Sequence, residues 1–151
     1  MNIYKYKIED LDEIIKLFYQ TVHQINIKDY TKEQVDAWAP STIDYKKWHQ
    51  SLSNNYCIVV KENNQIIGFG DISNDGYLDH LFVHKDFQNQ KVATLICNQL
   101  EKIANKKIIT THASITAKPF FLKRGYQVIK EQTVTRNNIS LTNFVMQKTL
   151  T

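Results

Sequence analysis

The distribution of apolar residues predicts a chain of alternating strands and helices. Near the N-terminus, apolar residues alternate from Ile3 to Ile8, and from Asp10 to Asn26 they recur at three- and four-residue steps. The first pattern is typical of a short strand and the second of an amphipathic helix. Acidic residues in the first turn favour the start of this helix, because they lie at the positive end of its dipole.

Two short helices and three strands are predicted next. Thr31 and Gln34 have the spacing of a capping box, which favours a helix from Tyr30 to Trp38 that ends before Pro40. Beyond it, Asn63-Asn64 and Asp75-Gly76 are turn signals between apolar segments. These segments predict a helix over Asp44–Leu52 and antiparallel strands over Tyr56–Val60, Ile66–Ile72 and Tyr77–Val83.

The remaining elements complete an α/β pattern. A helix ending near Ala104 follows the third strand, and Gly125 is typical of a later helix C-terminus. The other predicted elements are a strand over Lys107–Thr111, a helix over Thr116–Lys123 and two long strands over Tyr126–Val134 and Ile139–Leu150. We therefore expect one α/β (α+β) domain spanning residues 1–151, with a mixed, mostly antiparallel sheet of about seven strands flanked by helices.

The segment that opens the helix after the third strand suits a phosphate group. Gln88 to Thr94 consists mostly of small and amide residues, and no Asp or Glu occurs from Phe87 to Leu100. A helix start presents unpaired backbone N–H groups and the positive end of the dipole, which together bind anions. The segment by itself fits this interpretation and an ordinary strand–loop–helix crossover equally well.

Several motifs resemble the GNAT N-acetyltransferases. Leu81-Phe82-Val83 is similar to their Leu-x-Val strand end, and Gln88, Val92 and Ala93 fall in register with their (Gln/Arg)-x-x-Gly-x-(Gly/Ala) motif. The segment from Ala117 to Tyr126 is similar to their Ala-x-x-x-Tyr-x-x-x-Gly-Phe motif. Tyr30 to Pro40 resembles the Tyr-Thr-x-x-Gln…Ala-Trp-Ala-Pro segment of a bacterial subfamily. The resemblance covers essentially the whole chain.

The resemblance implies an acetyl-CoA-dependent transferase that acylates a primary amine directly in a ternary complex. In this family acetyl-CoA enters a cleft between two splayed strands, which here would be Tyr77–Val83 and Lys107–Ala113. The residues implied to bind the coenzyme are Leu81, Phe82, Val83, Gln88, Asn89, Gln90, Lys91, Val92, Ala93, Thr94, Ser114 and Phe121. Those implied to bind the acceptor, a small molecule or a peptide, are His23, Tyr30 and Trp38.

Two residues depart from the family pattern. Lys91 occupies the position of the first motif glycine, and Phe121 that of the usual tyrosine general acid. Because Phe121 cannot donate a proton, the thiolate leaves unaided or another group, such as Tyr126 or a water molecule, protonates it. The remaining alternative is a protein that binds coenzyme A without turnover, as a sensor or a degenerate enzyme.

The acceptor amine requires a general base more than the thiol requires an acid. A lysine-like amine has a pKa of about 10.4, whereas a thiol, at about 8.5, leaves readily as thiolate. The candidate catalytic residues are Asp79, His80 and Tyr77. In a regular strand Tyr77 and Asp79 would share one face and His80 would lie on the other, although the family often has a bulge here. His80 has the more suitable intrinsic pKa, but a structural Asp79–His80 pair is an alternative.

The charge, the cysteine content and the lengths of the apolar segments argue against several classes of protein. The formal charge of +4 suits an anionic ligand, and it alone motivates a nucleic-acid-binding alternative, for which no basic–aromatic segment exists. Cys57 and Cys97 are too few for a disulfide framework, and no apolar run is long enough to cross a bilayer. His84 and His112 are expected in loops, without metal-ligand spacing. We therefore expect a cytoplasmic monomer or homodimer that has no metal, nucleic-acid or membrane partner.

Overall fold

Seven strands and five α-helices make up the protein, as seen in a computed structural model that describes residues 1–151. The strands are β1 (Asn2–Lys5), β2 (Tyr56–Glu62), β3 (Gln65–Ile72), β4 (Tyr77–Val83), β5 (Ile108–Ser114), β6 (Gln127–Arg136) and β7 (Ile139–Thr149). The helices are α1 (Leu11–Gln24), α2 (Lys32–Trp38), α3 (Tyr45–Asn54), α4 (Val92–Ala104) and α5 (Lys118–Lys123). Short 3-10 turns lie at Ile8–Asp10, Asn26–Lys28 and Lys85–Phe87.

All seven strands form one sheet in the order β1-β2-β3-β4-β5-β7-β6. Every neighbouring pair is antiparallel except β4 and β5, which are parallel. These two strands pair only at Tyr77–Thr110 and Leu78–Thr111, and then diverge. The predicted mixed, mostly antiparallel sheet with splayed central strands is therefore confirmed.

Helices cover both faces of the sheet. Val59 of β2 packs in the cluster formed with α1, α2 and α3, whereas its neighbours Ile58 and Val60 pack in the cluster formed with α4 and α5. This two-sided burial explains why β2 and β3 are nearly continuous apolar runs rather than alternating ones. On β3, a Cβ atom at Gly70 would lie only 2.8 Å from the Ile96 side chain, so the glycine allows α4 to pack close to the strand.

Most predicted boundaries differ from the structure by a few residues, and three of these differences lie at the N-terminus or near the diverging strands. The first strand ends at Lys5 instead of Ile8, because Ile8 already belongs to a 3-10 turn that leads into α1. The helix after β4 begins only at Val92, and the segment 88–91 is a loop. The fifth strand extends to Ser114, so the prediction that His112 lies in a loop is wrong. None of the helices is long and apolar enough to cross a membrane.

The predicted capping box at α2 is confirmed. The Gln34 backbone N–H donates to Thr31 Oγ1 at 3.1 Å, and the Thr31 N–H donates to Gln34 Oε1 at 2.9 Å. The Gln34 side-chain amide also donates to the Ser140 carbonyl on β7. The helix that precedes Trp38 is thus fixed both at its own start and to the C-terminal hairpin.

Candidate active site

A cleft of about 950 Å³ opens where β4 and β5 diverge. One side is formed by β4, the loop before α4, the start of α4, the end of β5 and α5. The other side is formed by α1, α2 and the β6–β7 hairpin. Nearly every predicted site residue lines this cleft, namely Tyr30, Trp38, Tyr77, Asp79, His80, Leu81, Phe82, Val83, Gln88, Asn89, Lys91, Val92, Ala93, Thr94, Ser114 and Phe121.

The edge of β4 that faces the cleft has no partner strand beyond Leu78. Residues 80–83 pair with β3 on one side, whereas the pairing with β5 stops at Leu78–Thr111. The Val83 carbonyl accepts from the side chains of Gln88 and Thr21, but the other backbone groups along this edge lack a strand partner and can pair with an extended ligand, as an added strand would. This is the geometry expected for the pantetheine arm of a coenzyme.

Two buried polar atoms in the cleft lack a hydrogen-bond partner. They are Thr116 Oγ1 and Asn143 Oδ1, and both residues line the cleft close to the end of β5. Burying such atoms unpaired is costly, so both are suited to bond with a polar group that enters the cleft. A pantetheine arm, which contains two amides, fits this requirement.

The loop before α4 holds its shape through Gln88 and two left-handed residues. The Gln88 side-chain amide donates to the Val83 carbonyl at 2.8 Å, which ties the loop to the end of β4. Asn89 and Lys91 have φ values of 61° and 64°. Lys91 is thus the N-cap of α4 in the conformation that glycine adopts freely, which explains why the resembled motif has glycine at this position.

The first turn of α4 is open to an anion. It contains no acidic residue, and Lys91, Ala93 and Thr94 all line the cleft. The exposed Gln90 does not line it. Backbone N–H groups and positive charge therefore converge at this end of the cleft, as a diphosphate requires.

At the other end of the open edge, a bulge in β4 brings Asp79 and His80 into the same cleft. Asp71 pairs with His80 and Ile72 with Leu78, so Asp79 is the extra residue. A regular strand would place Asp79 and His80 on opposite faces, but β4 is not regular here, and the bulge that the resemblance implied is present. The Asp79 carboxylate lies 3.8 Å from His80 Nδ1.

His80 is bound to a buried carboxylate. Its Nδ1 donates to Asp71 Oδ1 at 2.9 Å, and its backbone N–H donates to the same oxygen at 2.8 Å. Asp71 is fully buried, and Asn55 donates to its second oxygen at 3.1 Å. With Nδ1 serving as the donor, Nε2 is the basic nitrogen, and 20% of the His80 side chain remains exposed.

The three candidate bases have different surroundings, which shift their pKa values for different reasons. Burial alone would lower the pKa of His80, but the bond to Asp71 and the charges of Asp71 and Asp79 outweigh it and raise that pKa. Burial raises the pKa of Asp79, against the influence of His80. Burial also raises the pKa of Tyr77 to about 12, so Tyr77 is protonated at neutral pH and is a poor base.

Aromatic rings form the wall next to His80. The Trp48 and Phe69 ring centroids lie 5.1 and 6.2 Å from that of His80. Trp38 lines the cleft and packs against Phe82 at 6.2 Å. Of the two tryptophans, Trp48 holds the imidazole in place, and Trp38 presents an apolar surface to the cleft.

Two residues predicted to bind the acceptor have other partners. His23 does not line the cleft, because its Nε2 bonds to the Ala39 carbonyl at 2.7 Å. The Tyr30 ring lines the cleft, but its hydroxyl donates to the Thr142 carbonyl and accepts from the Ile115 N–H. Tyr30 thereby bridges the end of β5 and the adjacent strand β7, and its hydroxyl has no free proton to offer a substrate.

Tyr126 cannot be the substitute proton donor considered for Phe121. Its hydroxyl donates to Glu101 Oε2 at 2.7 Å, and the residue is buried outside the cleft. Phe121 itself is buried and packs against Tyr126, with ring centroids 4.9 Å apart. In contrast, Tyr77 lines the cleft and packs against His112, with ring centroids 5.1 Å apart.

The sequence analysis did not identify three residues of the site, namely His112 and Arg136, which line the cleft, and Asp71, which is buried against His80. An acid inside the apolar segment Ile66–Ile72 was the available signal for Asp71, since a buried carboxylate requires a partner. Nothing in the sequence marked Arg136, which lies next to a turn.

Asp71, Asp79 and His80 also resemble a metal-ligand set. One potential ligand atom from each lies within 4.8 Å of the others. However, His80 Nδ1 and Asp71 Oδ1 already satisfy one another at 2.9 Å. Hydrogen bonding thus accounts for this arrangement without an ion.

Comparisons with known proteins agree with this geometry. A model of the acetyltransferase (GNAT) domain matches residues 26–150. The uncharacterized N-acetyltransferase YafP of Escherichia coli strain K12 is 33% identical over 148 residues, which cover 97% of this chain and 95% of that protein. A GCN5-related N-acetyltransferase from Rhodopseudomonas palustris superposes with a TM-score of 0.95 at 32% identity, covering 99% of this chain and 95% of the other.

A more distant structure shares the fold with a ligand present. PaiA N-acetyltransferase from Thermoplasma acidophilum, solved in complex with coenzyme A, has a TM-score of 0.80 at 20% identity. The match covers 99% of this chain and 98% of that one. This likeness shows that the two proteins share the fold.

Proposed function

Because the chain belongs to the GNAT acetyltransferase family, we propose that it transfers an acetyl group from acetyl-CoA directly to a primary amine. The observation that carries this proposal is the His80–Asp71 pair beside the open edge of β4. A basic nitrogen and a strand edge able to hold a pantetheine arm occur in one cleft.

His80 is the proposed general base. With Nδ1 held by Asp71, Nε2 removes a proton from the attacking amine, whose nitrogen forms a bond to the acetyl carbonyl carbon. The carbon–sulfur bond breaks and the sulfur leaves as thiolate. Backbone N–H groups on the open edge at residues 81–83 stabilise the negative charge on the carbonyl oxygen.

Tyr77 is proposed to donate a hydrogen bond to the departing sulfur, which leaves as thiolate and is protonated afterwards by solvent. Phe121 cannot supply a proton and Tyr126 is bonded to Glu101, whereas Tyr77 lines the cleft and is protonated at neutral pH. A thiol with a pKa of about 8.5 needs little assistance, so Tyr77 contributes less than the base.

The coenzyme is proposed to lie along the open edge with its diphosphate at α4. The loop amides, the first turn of α4 and Lys91 meet the diphosphate. Ser114, Thr116 and Asn143 line the pantetheine portion, where the two unpaired buried atoms lie. The observation of coenzyme A in the T. acidophilum protein supports this placement through the shared fold.

A coenzyme-binding sensor is the second candidate, and the buried Phe121 favours it. Calorimetry with acetyl-CoA, combined with thiol release in a panel of primary amines, separates the two. The transferase releases coenzyme A with at least one amine, whereas the sensor binds acetyl-CoA and releases none. Absence of binding at millimolar acetyl-CoA would contradict both candidates.

A further inference from the structure

The chain contains two arginines, Arg124 and Arg136, which have different surroundings. Arg124 donates to Glu101 at 2.8 Å and to Asn98 at 2.7 Å. Arg136 lines the cleft, and its single hydrogen bond within the protein goes to the Thr135 carbonyl at 3.3 Å. No carboxylate lies within 4.0 Å of the Arg136 guanidinium, which therefore keeps most of its donors available.

The position of Arg136 is fixed by the hairpin that carries it. Asn137 and Asn138 form the β6–β7 turn with φ values of 48° and 66°, as a two-residue hairpin turn requires. The Asn137 side-chain amide donates to the Ala37 carbonyl at 2.9 Å, which anchors the hairpin tip to α2 next to Trp38. Val134, two residues before Arg136, also lines the cleft, so this face of β6 is directed into it.

Asp79 is the only carboxylate that lines the cleft, and it is not paired with Arg136. The two charged groups are more than 4.0 Å apart, yet the charge of Arg136 acts to lower the pKa of both Asp79 and Tyr77. Two opposite charges thus face one space without neutralising each other directly. A ligand with one positive and one negative end would satisfy both.

Apolar side chains line much of the cleft that contains these two charges. On α1, α2, β4 and the β6–β7 hairpin, together with Tyr30, they are Phe18, Tyr30, Trp38, Phe82, Val134 and Leu141. A polyamine fits poorly, because Arg136 and Lys28 repel additional positive charge and Asp79 offers only one counter-charge.

We propose that the acceptor is a free amino acid with an apolar side chain, with its carboxylate bound by Arg136 and its amine beside Asp79 and His80. An arginine fork is well suited to a carboxylate, because two parallel N–H donors match its two oxygens. The product is the N-acetyl amino acid, with the amine proton passed to His80 and coenzyme A released. This inference rests on the proposed transferase activity and specifies its acceptor.

The test compares L-leucine with L-leucinamide, isopentylamine and spermidine by coenzyme A release. The amide is intrinsically favoured, because loss of the neighbouring carboxylate lowers the pKa of its amine and leaves more of it neutral. We nevertheless expect kcat/KM for leucine to exceed that for the amide by about tenfold or more, the effect of one charge-assisted contact.

Variants of Arg136 test whether this residue causes the preference for leucine over leucinamide. Arg136→Gln is expected to lower kcat/KM for leucine about tenfold more than kcat/KM for leucinamide. Arg136→Lys restores part of the activity toward leucine, since it keeps the charge without the fork. Lys130→Gln is the matched control, because Lys130 lies exposed on the same strand and does not line the cleft.

The possible outcomes are distinguishable. Equal or better turnover of amines that lack a carboxylate would overturn the amino-acid acceptor and leave the transferase intact. An unchanged leucine preference in Arg136→Gln would exclude Arg136 as its cause. Acetyl-CoA binding without release by any amine, leucine included, would overturn the transferase and its acceptor together.

Discussion

Two buried carboxylates, Asp71 and Glu101, show how similar pairings serve different ends. Glu101 accepts hydrogen bonds from Arg124 and Tyr126 at 2.8 and 2.7 Å, and Lys148 lies 3.5 Å away. All of these partners are engaged with Glu101, and none lines the cleft. Asp71 also binds its partners closely, but His80 carries a second ring nitrogen and borders the cleft.

Of the two clusters, only that of Asp71 presents a functional group to the cleft. The Glu101 cluster is closed, in the sense that its members bond to one another and none lines the cleft. Its hydrogen bonds therefore serve to stabilise the packing of α4 against the C-terminal strands. The Asp71 cluster is open, and its hydrogen bonds orient a base and raise its pKa. The unpaired atoms of Thr116 and Asn143, the left-handed Lys91 and the free Arg136 also lie at the cleft. Unsatisfied or strained groups are typical of sites that await a ligand.

Replacing His80 should have the largest effect. We expect His80→Gln to lower kcat about 100-fold or more, the usual loss when a general base is removed, and to leave acetyl-CoA affinity within about twofold. Thiol release and calorimetry measure the two quantities. His49→Gln, in the neighbouring helix α3, is the control, and full activity of His80→Gln would eliminate His80 as the base.

Breaking the closed cluster should affect stability instead. Glu101→Gln leaves the largely buried Arg124 without its counter-charge, which should lower the free energy of unfolding by about 3 kcal/mol. Urea denaturation measures this change. Activity per folded molecule should stay the same, and a large loss of kcat would show that the two clusters are coupled.

The same variant should change the acid sensitivity of the fold. Burial alone would raise the pKa of Glu101, but hydrogen bonds from Arg124 and Tyr126 outweigh it and lower that pKa. A lowered pKa stabilises the fold above the ordinary glutamate value and loses that contribution as the pH falls through the folded-state value. The wild-type protein should therefore lose more stability than Glu101→Gln as the pH falls below the ordinary glutamate pKa of about 4.3. Parallel curves for the two proteins would contradict this account.

Much of the fold, but less of the site, could be predicted from the sequence. The apolar periodicities locate the helices, because α1 and α4 each bury one continuous face. The bulge at Asp79 could not be derived from alternation, since it depends on the register in which β4 pairs with the preceding strand β3. For the same reason the bond between Asp71 and His80, nine residues apart, has no local signature.

Replacing Lys91 with glycine, at the phosphate end of the cleft, should have the smallest effect on function. Lys91→Gly removes a left-handed non-glycine residue and should raise the free energy of unfolding by about 1 kcal/mol. It should bind acetyl-CoA about as well as the wild type, because closer backbone approach offsets the lost charge. Asn105→Gly, at the opposite end of α4 and also left-handed, is the control, with a smaller gain and no effect on binding.

Reversing the charge at residue 91 tests how much the lysine ammonium contributes to acetyl-CoA binding. Lys91→Glu should weaken acetyl-CoA binding roughly tenfold, and the loss should shrink as salt rises. Calorimetry at two ionic strengths measures both effects. Much tighter binding by Lys91→Gly than by the wild type would instead identify the lysine as an obstruction.

The most direct test of the open cluster is an NMR titration of the His80 ring in the wild-type protein and in Asp71→Asn. Asp71 raises the pKa of His80, so the neutral base forms at a higher pH in the wild type than in the variant. The account predicts a His80 pKa above the ordinary histidine value that falls in Asp71→Asn, with the acid limb of kcat/KM moving to lower pH in parallel. An unchanged His80 pKa, or an acid limb that stays in place while the pKa falls, would contradict the claim that this pair provides the base.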